Sequence, residues 1–203
     1  VIEVESFKHN GRKVTIYPDE HAESPRVFDC NLATLACWHR RVNLGDEQTS
    51  GETETELCER VAASGEEILA LLPLYLYQHG DMTIRTTPFG DRWDSGQVGW
   101  AYVTKASAEK LGCMGAGWER ERYLRAIVSE VETYDMFLRG AVYGYVVEGA
   151  EGDELDSCWG FYGLDDARGE GKAAAESSDD PATDRAAAEL ESRPTFAGNR
   201  IES

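Results

Sequence analysis

Four stretches concentrate the side chains that could do chemistry. The first, Cys37-Trp38-His39-Arg40-Arg41-Val42-Asn43-Leu44-Gly45-Asp46, gathers an imidazole, two guanidinium groups and a carboxylate at the exit of an apolar run. Arg40 and Arg41 suit a carboxylate or phosphate, and His39 is an acid or base for neutral pH. The plainer alternative has these cations neutralising surface acids. The second, Pro88-Phe89-Gly90-Asp91-Arg92-Trp93-Asp94-Ser95-Gly96-Gln97-Val98-Gly99, places turn formers, carboxylates and a Trp between two apolar runs. There Asp94 and Gln97 could hydrogen-bond a ligand or partner with Trp93 as an apolar wall; as pure structure, Asp94 would cap the turn and Trp93 would cover the core edge.

The third is His79, beside Gly80-Asp81 at an expected hairpin tip. The fourth is Asp156-Ser157-Cys158-Trp159-Gly160-Phe161-Tyr162-Gly163, which reads first as a closing strand. Cys158 is the nucleophile candidate, provided that His39 or His79 lies beside it as a base. His39 and His79 are far apart and no third ligand stands at a diagnostic spacing, so no metal site is expected. The five cysteines form no C-x-x-C pair, and each reads as a small buried residue in a reducing compartment. No cofactor is expected.

The elements that must position these groups sit in an acidic chain. Twenty Lys and Arg, fifteen of them Arg, stand against 38 Asp and Glu, for a net charge of −18 over 203 residues. Such a surface suits concentrated salt, where screening weakens self-repulsion, and it argues against direct binding to nucleic acid. A DNA-mimicking decoy is the sharper alternative. No run reaches the roughly 18 apolar residues of a membrane span. The acidic opening Val1-Ile2-Glu3-Val4-Glu5 does not read as a signal peptide. The expected location is therefore the cytoplasm.

Strand-like runs flank Asn10-Gly11, giving a first hairpin. Leu32 to His39 continues as a strand. A helix is expected over Glu52 to Ala63, followed by capping-box spacing at Ser64 to Glu67. Ile68 to Tyr77 is a strand, or a short helix leading into one at Pro73, and Met82 to Thr86 pairs back on its end. Val98 to Lys105 is a further strand, Ser107 to Leu111 a short helix, and Trp118 to Leu138 one long amphipathic helix closed by Gly140. Ala141 to Glu148 and Leu155 to Tyr162 make a third hairpin. This pattern predicts an α+β fold: a single domain over 1–163, with a largely antiparallel sheet and the long helix packed on one face. Residues 164–203 hold only four large apolar residues and are expected to be a flexible acidic tail, with Asp184 to Glu191 able to turn helical on a partner.

Several of these segments resemble a family of uncharacterised small proteins of tailed bacteriophages, archaeal viruses and mobile elements. The matching stretches are Leu72 to Tyr77 with His79, Thr87-Pro88-Phe89 through Gly99, Thr133-Tyr134-Asp135, Val142-Tyr143-Gly144, Asp156 through Gly163, and Cys37 to Asp46. The resemblance covers about residues 30–163, and Gln78 departs from it where an acid is common. It implies a viral or mobile-element origin and, with the lysine-poor acidic composition, a haloarchaeal host.

The leading expectation is a small accessory protein that binds a host or viral macromolecule, with the decoy as a variant. Its binding residues would be Arg40, Arg41, Asp46, His79, Trp93, Asp94, Gln97, Asp156 and Trp159. The alternative is a hydrolase or transferase using His39 with Asp94 or Asp46 on an anionic substrate. A minor structural component of a virion is the third expectation.

Overall fold

The computed structural model describes residues 2–91 and 93–178. Among the described residues the fold is mixed α+β, with two sheets and four α-helices, one helix more than the three expected. The described residues form two compact units: 2–19 with 143–178, and those within 20–142.

In the first unit, β1 (Glu5–His9) and β2 (Arg12–Pro18) form the expected hairpin. Asn10 and Gly11 turn it with φ of 49° and 76°, as a tight two-residue connection demands. β8 (Val142–Glu148) pairs with β2, and β9 (Glu154–Tyr162) completes the order β1-β2-β8-β9.

The tail expected to begin at residue 164 instead starts as a helix, α4 (Leu164–Ser177). Its buried face is Ala167, Gly171, Ala174 and Ala175, packed on Val14, Ile16, Tyr145 and Val147. Small residues at helical spacing bury little area each but let the helix approach the sheet closely. A Cβ at Gly171 would lie 2.8 Å from Val14 Cγ1. Buried Arg12 secures the helix end, donating from Nη1 to Ala175 O at 2.6 Å and from Nη2 to Ser178 O. A cation at those terminal carbonyls also complements the helix dipole. The Asp184 to Glu191 expectation lies outside the described residues.

In the second unit, a five-stranded sheet has the order β4-β3-β7-β5-β6: β3 (Thr34–Cys37), β4 (Glu47–Gln48), β5 (Ile68–His79), β6 (Asp81–Arg85) and β7 (Ser95–Thr104). Only β3 and β4 pair in parallel. Pro73 is tolerated inside β5 because pairing with β6 begins at Tyr75, leaving β7 as its one neighbour there.

Strand alternation splits the core between two faces. Leu35, Cys37, Leu74, Leu76 and Val103 pack with Tyr123, Ile127, Val131 and Tyr134 of α3 (Arg120–Leu138). Ala36 and Tyr102 face the other way, against Leu57 and Val61 of α1 (Glu54–Ala63). The capping box belongs to the start of α1, Thr53 with Glu56, whereas Ser64 is its C-terminal cap and Gly65 turns with φ of 85°. Glu56 is held below the usual carboxylate range by the Thr53 backbone N–H and hydroxyl. The short α2 (Lys105–Lys110) follows β7 directly.

Candidate functional site

The chemistry-bearing residues of the second unit gather where β5 ends and β7 begins. Ser95 to Gln97, expected in a loop, already belong to β7, so the irregular part of that segment ends at Asp94. Arg85 folds its first half, donating from Nε to Thr87 O at 2.9 Å and from Nη2 to Pro88 O, with its guanidinium 3.7 Å from the centre of the Phe89 ring. Phe89 in turn packs on Tyr77 of β5, with centroids 5.6 Å apart. Asp91 folds the second half. Its Oδ1 accepts from the backbone N–H of Trp93 at 2.7 Å and of Asp94 at 3.2 Å, and those bonds hold its carboxyl below the usual range. Ser95 Oγ donates to Asp91 O, and the Gln78 N–H donates to Asp94 O at 2.9 Å. Trp93 therefore covers no core edge. At 95% exposure it projects into solvent from a turn with its own bonding network.

His79 Nδ1 lies 2.9 Å from Asp94 Oδ2. The imidazole that meets Asp94 is thus His79 rather than His39. Carboxylate contact at one ring nitrogen orients the ring and leaves Nε2 outward, an arrangement capable of proton transfer. The pair is open, with side-chain exposures of 74% and 40%. Gln97 spends its amide on its own strand, donating from Nε2 to Gly99 O at 3.3 Å.

His39 has a different task. Its Nδ1 accepts from the backbone N–H of Arg41 at 3.4 Å and of Val42 at 3.3 Å, capping the turn that follows β3. Trp38, His39, Arg40, Arg41, Gln78 and Val98 line a concavity of about 440 Å³. Neither Arg40 nor Arg41 joins an ion pair of the described residues, whereas Arg26, Arg60, Arg139 and Arg168 each do.

Asp46, a candidate ligand or catalytic group in the sequence, is engaged in bonds that hold the fold. Arg26, whose side chain is 6% exposed, donates from Nε and Nη2 to its two carboxylate oxygens at 3.0 and 2.7 Å. The Leu35 N–H donates to it as well, at 2.8 Å. Arg26 Nη1 also reaches Glu130 on α3 at 2.8 Å, and Glu130 accepts from the Leu32 N–H. Burial works against the Arg26 charge, but the bonds from Asp46 and Glu130 outweigh it and raise its pKa. This network, with the Gly45 N–H donating to Tyr134 Oη at 3.0 Å, ties both ends of the β3 region to α3. Sequence gave no sign of it, since Arg26 and Glu130 stand 104 residues apart.

Asp156, Cys158 and Trp159 belong to β9 in the first unit. Tyr145 Oη donates to Asp156 at 3.3 Å, and burial followed by the Asp156 charge pushes the Tyr145 phenol up to about 12. Trp159 lies over Gly144, where a Cβ would strike its indole and come within 2.8 Å of Cys158 O, and it stacks on Tyr17 at 6.3 Å. Packing thus joins Gly144 to the Cys158-Trp159 segment. Cys158 Sγ is exposed and faces the carbonyl of Trp159 at 3.8 Å. The expectation of five buried cysteines fails: Cys37 alone is buried, its thiol pushed up to about 12 by desolvation and the Asp46 charge, while Cys30, Cys58 and Cys158 are exposed.

Glu47, Glu52 and Arg60 line a second concavity, with Arg60 bridging the two carboxylates at 3.1 and 3.0 Å. Among the described residues, no group of three His, Cys, Asp or Glu side chains could hold a metal ion, and no helix is long and apolar enough to cross a membrane. No family model matches the chain, and no curated protein or solved structure matches it.

Proposed function

We propose that the chain is a binding protein, an accessory factor of a haloarchaeal virus or mobile element, that engages a host or viral macromolecule through residues 86–97. Trp93 is the observation that carries this reading. A Trp left 95% exposed on a turn held by Asp91, Ser95 and Gln78 exposes a large apolar surface at little ordering cost on binding. Buried Trp anchors dominate protein interfaces and typically contribute 2 kcal/mol or more, about thirtyfold in affinity. The test is affinity capture from a halophilic lysate with wild type and Trp93→Ala side by side. A partner held by wild type and lost from the variant supports the proposal; identical sets of bound proteins contradict it.

The His79–Asp94 contact carries a second reading, a hydrolase or transferase with His79 as the acid or base and Arg40 or Arg41 holding an anionic substrate. Compared with the sequence expectation, His79 takes the place of His39 and Asp46 drops out. The open setting of the pair offers no exclusion of water, which favours the binding reading. Turnover of a phosphoester or ester substrate that disappears in His79→Gln would reverse that preference.

A further inference from the structure

We infer that the concavity behind β3 is a binding site for a phosphorylated small molecule of nucleotide size. This site is separate from the Trp93 reading and does not depend on it. The volume of about 440 Å³ lies within the range of small-molecule pockets. Its lining supplies three complementary functions. Arg40 and Arg41 are two guanidinium groups with no carboxylate partner among the described residues, in a chain that pairs four other arginines with acids. Planar guanidinium groups recognise phosphate oxygens by paired hydrogen bonds.

His39 adds a donor of fixed tautomer. Because Nδ1 accepts two backbone N–H groups, the neutral ring carries its proton on Nε2. Trp38 provides an aromatic surface on which a planar heterocycle can stack, and the Gln78 side chain offers both a donor and an acceptor for a heterocycle edge. The frame beneath is firm. Trp38 N–H donates to Val98 O at 2.7 Å, Gln78 N–H donates to Asp94 O at 2.9 Å, and the Arg26–Asp46 ion pair closes the segment after the arginines. A phosphate alone would use the arginines and leave Trp38 and Gln78 idle, so the combination points to a phosphate joined to a planar group.

The experiment is calorimetric titration of the whole chain with AMP, adenosine and inorganic phosphate at fixed ionic strength, repeated with Arg40→Gln/Arg41→Gln, Trp38→Phe and Trp93→Ala. AMP should bind more tightly than either fragment. The double arginine variant should weaken it about 100-fold, since each charged hydrogen bond contributes about tenfold. Trp93→Ala should leave AMP binding unchanged, which separates this site from the macromolecular one. Arg40 and Arg41 are exposed, so the double variant should retain its fold, checked by circular dichroism. Absence of saturable AMP binding up to about 10 mM overturns the inference, as does wild-type affinity in the double variant. Phosphate binding as tightly as AMP overturns the nucleotide-size assignment.

Discussion

Removing the Asp46 carboxylate should unfold the protein more readily rather than silence a reaction. In Asp46→Ala, Arg26 loses two of its charged hydrogen bonds, at 3.0 and 2.7 Å, and the Leu35 N–H loses its acceptor. Breaking a buried ion pair costs about 3–5 kcal/mol because the surviving charge stays desolvated. The lower end applies here: Asp46 is 24% exposed, and Glu130 remains as a second partner for Arg26. The expected loss is thus about 3 kcal/mol, or a fall of about 6–12 °C in Tm for a chain of this size. Asp46→Asn, which keeps the volume and one acceptor oxygen, should lose less. Urea and thermal unfolding followed by circular dichroism read the difference. A variant within about 0.5 kcal/mol of wild type would refute the structural assignment of Asp46 and return it to the list of functional groups.

Further outcomes are equally specific. Asp91 has its carboxyl held below the usual range by the Trp93 and Asp94 N–H groups. Its contribution to the turn is present above the ordinary Asp value and is lost as pH falls through the depressed one. Protection of the Trp93 and Asp94 amides, measured relative to their intrinsic exchange rates, should therefore fall on acidification, and Asp91→Asn should abolish that change while retaining an acceptor. Gly144→Ala should destabilise by about 1–3 kcal/mol through collision with Trp159, and Trp159→Ala in the same chain should relieve part of the penalty, read as a double-mutant cycle in urea. With a net charge of −18, the fold should gain stability as KCl rises from about 0.1 to 2 M, where screening shortens to a few ångströms; an unchanged urea midpoint would contradict the salt-adaptation reading.

Local signals in the sequence carried most of the secondary structure. Asn10-Gly11 specifies its hairpin because few other pairs adopt two positive φ values, and the apolar spacing of Ile127, Val131 and Tyr134 marks the long helix. The misreading of α4 has a physical cause, reliance on large apolar residues as the sign of burial. α4 docks through Ala and Gly, whose contribution is close approach rather than area, so it read as a tail. Pro73 suggested a break in β5, but whether it is tolerated depends on where β6 begins to pair. At the site, spacing brought forward His39, His79, Asp94, Arg40 and Arg41, yet only the fold decides which imidazole meets which carboxylate. His79 ends β5 and Asp94 stands just before β7, the strand that pairs with β5, whereas His39 turns its Nδ1 back onto its own backbone. Asp46 looked available because its partner Arg26 lies 20 residues away in the short 3-10 helix Pro25–Val27.

Quantitative affinity capture from a halophilic lysate with wild type, Trp93→Ala and Trp93→Phe reads recognition through Trp93. A defined partner should be retained about thirtyfold less by the Ala variant, with retention partly restored by Phe, because the anchor is an aromatic surface. A partner retained equally by all three proteins would contradict that recognition.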